Sequence, residues 1–499
     1  MKRPALPILQ SGSPPGGGSN SSATQGESVS RRYSILDNVL GPVGRGPSSS
    51  HTMAPHRAAL EAFSKLGGPP DFALITFLNS FATTGKGHRS HTALAAGLLG
   101  LTPEDERFPR AVEVAQEAGV EILFEHKIDD GEHPNTIYME LRRGETTLNM
   151  KVLSTGGGNY SIIYGDLADQ PIRLEGDDGP SVLTVTDLKM LKALPALERA
   201  LELRRPSWRD YSRLADESGL DCAEFSLLLE TYIQISKGGL QTPAHVWSTV
   251  HDVLRIMLDA VTAGSEVRQQ TQVTSGDWGH LLFQADSLLG NLWYTFAGAI
   301  AAQEYNAGMG VVAAAPTGGA AGTVPGVLYG MMRATGAPPE RMVEALLVAG
   351  LVGHVAFTRG PVSGAQSGCG GEVGIAAMMA AGAASHLLGG EWEQVSAAAA
   401  LVGQLFVGLE CAPAKGNVEY PCIPRNGFAA LAAVAAAEAA AAGIRPPHYG
   451  LDETLDRIFA VGRLLPQELR EYEDGHWAES LVRPECCGKG GCPSCPVAA

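Results

Sequence analysis

The chain has 499 residues, 44% hydrophobic and 18% charged, enough apolar content for one or two substantial cores and too much for a disordered polymer. Acidic residues outnumber basic ones, 53 against 37, and the resulting net charge of −16 argues against a general nucleic-acid surface and for a small-molecule partner. Aromatics make up only 6% while glycines number 61, a balance suited to close helix contacts and backbone-lined pockets.

Taken in chain order, residues 1–32 read as a disordered Gly/Ser/Pro-rich leader with no apolar run long enough for a signal peptide. The cytoplasm is the default location. An organellar transit peptide is the alternative, because Arg31 and Arg32 close a basic, acid-poor, Ser-rich segment. Residues 33–191 mix strands with helices. FALITFLNSF, VEILFEHKI, NTIYMELRR, TLNMKVLST and NYSIIYGDL carry β-branched and aromatic residues, and PRAVEVAQEAGV between them is helical, which predicts an α+β domain. A charged, Leu-rich linker is placed at 192–206. From 207 to 480 the strand signal gives way to Ala, Gly, Leu and Val at helical spacing, so the second domain is expected to be mostly all-α. Its Ala-rich run GFAALAAVAAAEAAAAGI (427–444) contains Glu438 and reads as a core helix and not as a membrane span. Residues 481–499 form a Cys-rich tail.

Four constellations carry chemistry. GPSSSHT (46–52) puts three hydroxyls and an imidazole after Gly-Pro, either as a turn that holds a carboxylate or ammonium group or as a cap for a helix beginning near Ala54. TGKGHRSH (84–91) and HPNT (133–136) set histidines beside small or turn-forming residues, where an imidazole reaches a ligand more readily than it packs in a core. His51, His88 and His133 within one domain suggest a shared site. The fourth lies in the helical region: Cys369 in GCGGEVG, and Cys411 and Cys422 bracketing ECAPAKGNVEYPC eleven residues apart. Without a secretory signal such thiols read as metal or redox groups in preference to disulfides. Gly and Pro around all three favour rigid turns suited to a cubane iron-sulfur cluster, against plain burial of cysteine in an Ala-rich core. Three ligands leave one iron open to act as a Lewis acid, much as catalytic zinc keeps a vacant position.

These segments also carry a resemblance. SILDNVLGPVGRGPSSSHT, FATTGKGH, HPNT and STGGGNY resemble the β domain of the iron-sulfur L-serine dehydratases. NAGMGVVAAAPTGGAAGTVPGVL, SGAQSGCGGEVGIAAMMAAG and GLECAPAKGNVEYPCIPRN resemble their α domain, in the order of the fused single-chain form, over about residues 33–467. No regulatory ACT domain is visible in the linker. The resemblance implies a [4Fe-4S] cluster on Cys369, Cys411 and Cys422. It also implies loss of the α-proton and of water from a small hydroxy-amino acid, giving an aminoacrylate that hydrolyses to pyruvate and ammonia. His88 would be the base; His51, Thr52, His133 and Asn135 would orient the substrate. Ser48, Ser49 and Ser50, with the turn of Pro316, Thr317, Gly318 and Gly319, would hold its carboxylate. A homodimer without nucleic-acid or membrane partners is expected. The chain departs from the family at Ala412, where Asp is usual, at Gln366, where Glu is usual, and at Arg89, Ser90 and His91. Threonine, a cysteine-like thiol or another β-substituted amino acid therefore stand behind serine as substrates.

Two rival readings remain at this stage. STGGGN (154–159) superficially resembles the phosphate loop of a pyridoxal-phosphate dehydratase, although Lys86 and Lys415 lack a Schiff-base context. Cys486, Cys487, Cys492 and Cys495 suggest a zinc module on a non-enzymatic scaffold. The same tail reads alternatively as an arm whose Cys492 or Cys495 reaches the open iron in the absence of substrate.

Overall fold

The computed structural model describes residues 33–129, 131–164, 188–238 and 242–471. The leader 1–32 and the cysteines of the tail lie outside them.

All five predicted strands form. β1 (Val43–Arg45) is followed by β2 (Phe72–Leu78), β3 (Glu121–Lys127), β4 (Thr136–Arg143), β5 (Thr146–Gly156) and β6 (Asn159–Tyr164). The last five make one sheet in the order β3-β2-β4-β5-β6, parallel between β2 and β3 and antiparallel elsewhere. Alternate residues Ile75, Phe77, Ile137, Met139, Met150 and Val152 point to one face and pack against Ala58, Ala62, Leu94 and Leu98 of the helices Ala54–Leu66 and Ser90–Leu98. The end of FALITFLNSF departs from expectation. The chain turns at Asn79, where φ is 50°, and continues as the short helix Ser80–Thr84. That turn is fixed by Asn79, whose side chain bonds the backbone of Asp129 in both directions at 2.8 Å.

The helical region is built around Pro339–Arg359 and Val373–Leu387, both apolar nearly all round and buried accordingly. Pro339–Arg359 is long and apolar enough to cross a membrane by composition, yet 83% of its most apolar window is buried inside the protein. The run from Gly427 belongs to the helix Cys422–Ala441, with Ala429, Ala430, Ala433 and Ala437 in the core. The 192–206 segment is helical for most of its length. The helix Leu188–Glu202 buries Met190, Ala193, Leu197 and Ala200 in the main core, so the join between the two regions is packed and not strung out. Within this mostly helical region the short strand β7 (Val311–Ala313) pairs antiparallel with β1.

The N-terminal residues are tied to the helices by buried groups. Glu230 accepts from Ser34 Oγ and Ile35 N–H, each at 2.6 Å. His354 Nε2 lies 3.0 Å from the Tyr33 carbonyl and Nδ1 lies 3.1 Å from the Tyr211 hydroxyl. The carbonyl can only accept, so Nε2 carries the proton and Nδ1 accepts from Tyr211. Burial holds His354 down to about 4. Below pH 6.5 the unfolded chain therefore binds a proton that the folded chain refuses, and stability falls as pH drops from 6.5 to about 4. The full loss is about 3 kcal/mol. Chemical denaturation across this range should show a shallower pH slope for His354→Gln, which keeps a donor for Tyr33 and does not titrate; an unchanged slope contradicts the assignment.

Candidate active site

Two loops far apart in the sequence meet first. Ser48 caps a wide helical turn, Ser49–Met53, by accepting from His51 N–H, and the helix Ala54–Leu66 follows directly. The capping and ligand-site readings of GPSSSHT thus describe the same residues. Asn306 Nδ2 donates to Pro47 O at 3.0 Å and to Gly318 O at 2.8 Å, which clamps this turn to Pro316–Gly319. A Cβ on Gly318 would lie 2.7 Å from Ser49 N, so only glycine allows the approach. Thr317 is buried in the same turn, with its hydroxyl beside the Glu372 carboxyl.

The histidines occupy two layers. His88 Nδ1 lies 3.0 Å from Thr84 O, so Nδ1 carries the proton and Nε2 presents a lone pair. His51 stacks beside it at 4.7 Å between ring centroids, with Nδ1 2.9 Å from Ser50 Oγ and Nε2 3.1 Å from Ser80 Oγ. Thr52 Oγ1 donates to His88 O at 2.6 Å, and Ser90 Oγ donates to His51 O at 2.6 Å. Burial holds His88 down to about 4 and His51 well below the ordinary imidazole range, so both rings are neutral near pH 7. His133 and Asn135 stand farther out. His133 Nδ1 accepts from Asn135 N–H at 3.1 Å, and its Nε2 is 3.2 Å from the Gln366 amide. With Nδ1 accepting, Nε2 of the neutral ring carries its proton. Asn135 is buried, and its Oδ1 has no partner among the described residues.

Cys369, Cys411 and Cys422, all buried and free, line one inner cavity with Ser48, His88 and Gly319. Cys369 and Cys411 hydrogen-bond each other, and the cavity between the groups is about 10 Å³. That bond holds the Cys369 thiol down to about 6 despite burial, with the Arg425 guanidinium beside it adding to the effect; Arg425 is in turn held by Glu410. Its thiol partner Cys411 is pushed up by the same bond, and Cys422 by burial. Three sulfur donors on one buried wall fit an iron-sulfur cluster by donor chemistry, and a cluster would take the place of the thiol-thiol contact.

Two carboxylates in this chamber have no counterpart among the predicted site residues. Glu372 Oε2 is 3.8 Å from Cys411 Sγ, and Cys369, Cys411 and Glu372 form a group able to hold a metal ion. Burial raises its carboxyl, with Glu471 and Cys369 contributing. It stands three residues after Cys369, inside the same Gly-rich motif, so the motif itself held the signal. Glu471 Oε1 is 3.6 Å from His51 Nδ1 and 3.6 Å from His88 Nε2, and burial pushes its carboxyl up to about 8. It lies beyond residue 467, where the family pattern was expected to end. The backbone explains its arrival: Cys411 N–H donates to Leu469 O at 2.8 Å, and Glu471 N–H to Cys411 O at 2.6 Å. Outside the chamber, Ser80, Gln366, Arg470 and Glu471 border a second cavity of about 520 Å³, which shares Glu471 with the inner one and is termed its approach.

The departures fall unevenly. Gln366 borders the approach and Ala412 is buried next to Cys411, whereas His91 packs on Phe77 and Phe124 of the sheet. The STGGGN glycines are spoken for by protein: Cβ atoms on Gly156, Gly157 and Gly158 would strike Val362, Phe357 and Pro42. These glycines serve close packing of the loop against the protein. The TGKGH and PAKGN loops touch backbone to backbone, since a Cβ on Gly87 would lie 2.3 Å from Gly416 O. Gly87→Ala should push His88 away from the cysteine loops and lower turnover by roughly tenfold or more. Wild-type turnover in that variant would show that the two loops need not meet.

A chamber of buried thiols, neutral imidazoles and carboxylates, between a small mixed sheet and an Ala-rich helical core, is the arrangement of an enzyme active site, and the family comparisons give its class as lyase. The "Serine dehydratase beta chain" family matches residues 34–119 and the "Serine dehydratase alpha chain" family matches residues 148–478. The alpha match begins within β5 and runs past Glu471, so the family pattern extends beyond the limit at 467 expected from sequence. An L-serine dehydratase of Streptomyces coelicolor is 31% identical over 489 residues, covering 91% of this chain and 99% of that protein. One from Mycobacterium bovis is 30% identical, with 90% and 98% coverage, and the L-serine dehydratase TdcG of Escherichia coli is 27% identical, with 88% and 98%. This chain belongs to the serine dehydratase family.

Proposed function

We propose that the protein deaminates L-serine to pyruvate and ammonia by β-elimination of water, with a [4Fe-4S] cluster held by Cys369, Cys411 and Cys422. The observation that carries the reading is the convergence of three buried thiols and the unpaired Nε2 of His88 on one cavity. When bound, such a cluster supplies an iron without a protein ligand, a Lewis acid for the departing hydroxyl. His88 Nε2 takes the Cα proton, its tautomer fixed by Thr84 O. Burial makes it a weak base in the empty chamber, and Glu471 Oε1 stands 3.6 Å from it. Ser48 Oγ and Thr317 Oγ1 receive the substrate carboxylate, while the packed chamber walls keep bulk water from the Cα anion. The released aminoacrylate tautomerises and hydrolyses to pyruvate and ammonia.

Iron and acid-labile sulfide measured on anaerobically purified protein, with pyruvate release from L-serine and L-threonine, test the reading. About four irons and four sulfides per chain and preference for serine are expected. Full turnover in an iron-free preparation, or an aldimine absorption band, overturns it.

A further inference from the structure

We propose that Glu471 receives the α-ammonium group of the substrate, and so makes the chamber select an amino acid over the hydroxy acid of the same skeleton. The assignment deepens the function proposed above and rests on it. Glu471 is 4% exposed, and its backbone is fixed by the two hydrogen bonds with the Cys411 segment and by Ser80 Oγ, 3.4 Å from its carbonyl. Its Oε1 faces the two imidazoles at 3.6 Å. The Ala365 backbone N–H bonds the carboxylate, while Oε2 is buried without a side-chain partner among the described residues. A carboxylate accepts up to about four hydrogen bonds, so this buried group keeps acceptor sites that a ligand's donors would fill. An ammonium group brings three.

The rest of the chamber leaves that role to Glu471. The other carboxylate on the inner cavity, Glu372, is turned toward Cys411 Sγ at 3.8 Å and groups with Cys369. The hydroxyls at Ser48 and Thr317 suit the substrate's carboxylate, not its cation. Glu471 also borders both the approach and the inner cavity, so an incoming ammonium meets it on the way. Cα is bonded directly to the ammonium nitrogen. Anchoring the nitrogen at Oε2 therefore brings the Cα proton to the neighbourhood of His88 Nε2, which lies 3.6 Å from the other oxygen of the same carboxylate.

The test uses the cluster-loaded full chain, L-serine, and 3-hydroxypropanoate, which is serine without its amino group. Glu471→Gln should raise KM for L-serine by about 30-fold or more while the inhibition constant of 3-hydroxypropanoate moves by less than about threefold. Iron and sulfide content should stay at the wild-type level. Glu471→Asp, which keeps the charge, should restore most of the discrimination. Equal weakening of both ligands assigns Glu471 a merely structural role and overturns the proposal, as does an unshifted KM for serine. Should Glu471→Gln fail to load iron, the wild-type protein decides: serine should be favoured by about 30-fold or more over 3-hydroxypropanoate, and parity overturns the proposal. A wild-type holoenzyme inert toward L-serine instead fells the parent reading, and this one with it.

Discussion

Replacing Cys369, Cys411 or Cys422 by serine should abolish turnover and iron binding together, whereas Cys222→Ser should leave both intact. All four thiols are buried and free, so burial alone does not separate them. What separates them is convergence. Cys222 opens the helix Cys222–Ser236, capped by Asp221, and packs in the main core, where burial raises its thiol well above the usual range. The other three face one cavity, where Arg425 stands against Cys369 and favours its thiolate. A serine hydroxyl at any of those positions is a poor substitute for thiolate sulfur toward iron. Iron and sulfide analysis beside pyruvate release distinguishes the cases, and a Cys422→Ser protein with full iron and full turnover removes that residue from the ligand set. Such a cluster has an iron open to oxidants, so wild-type activity should also decline in air.

What could be read from the sequence was what is written locally. Strand periodicity in TIYMELRR or LNMKVLST reports a half-buried sheet face, and both segments form strands with Ile137, Met139, Met150 and Val152 inward. The cysteine loops announce themselves because a close backbone approach needs glycine, and Gly87 against Gly416 is that need made visible. Glu471 has no such mark. Its place depends on a two-residue backbone pairing with Cys411, sixty positions earlier, and no local pattern around LREYE anticipates it. The β1–β7 pairing joins residues still farther apart. Glu372 is the intermediate case: the GCGGEVG motif contains it, yet only the fold turns its carboxylate toward Cys411. The imidazoles were legible as a group, but their division into an inner His51–His88 pair and an outer His133 is set by Ser80 and Gln366, contacts that sequence spacing does not encode.

His88→Ala should keep its full complement of iron and sulfide and still lose roughly 10²- to 10⁴-fold in kcat, the usual cost of a missing general base. KM for serine should change little, because the ring's Nε2 holds no ligand until the proton moves. Neutral imidazole is the active form, and burial places its titration near 4. The acid limb of the wild-type kcat/KM profile that belongs to this group should accordingly lie below the ordinary imidazole range, and the same limb should vanish in His88→Ala. The neighbouring ring offers the natural competitor. His51 is held on both nitrogens by Ser50 and Ser80, leaving no lone pair for a substrate proton, whereas His88 is bonded on Nδ1 alone. Substituting His51 should therefore disturb the orientation of His88 and cost less than removing His88 itself. A His88→Ala protein with normal iron and near-normal kcat, next to an inert His51→Ala protein, would transfer the base role to His51 and require its contact with Ser80 to open during turnover.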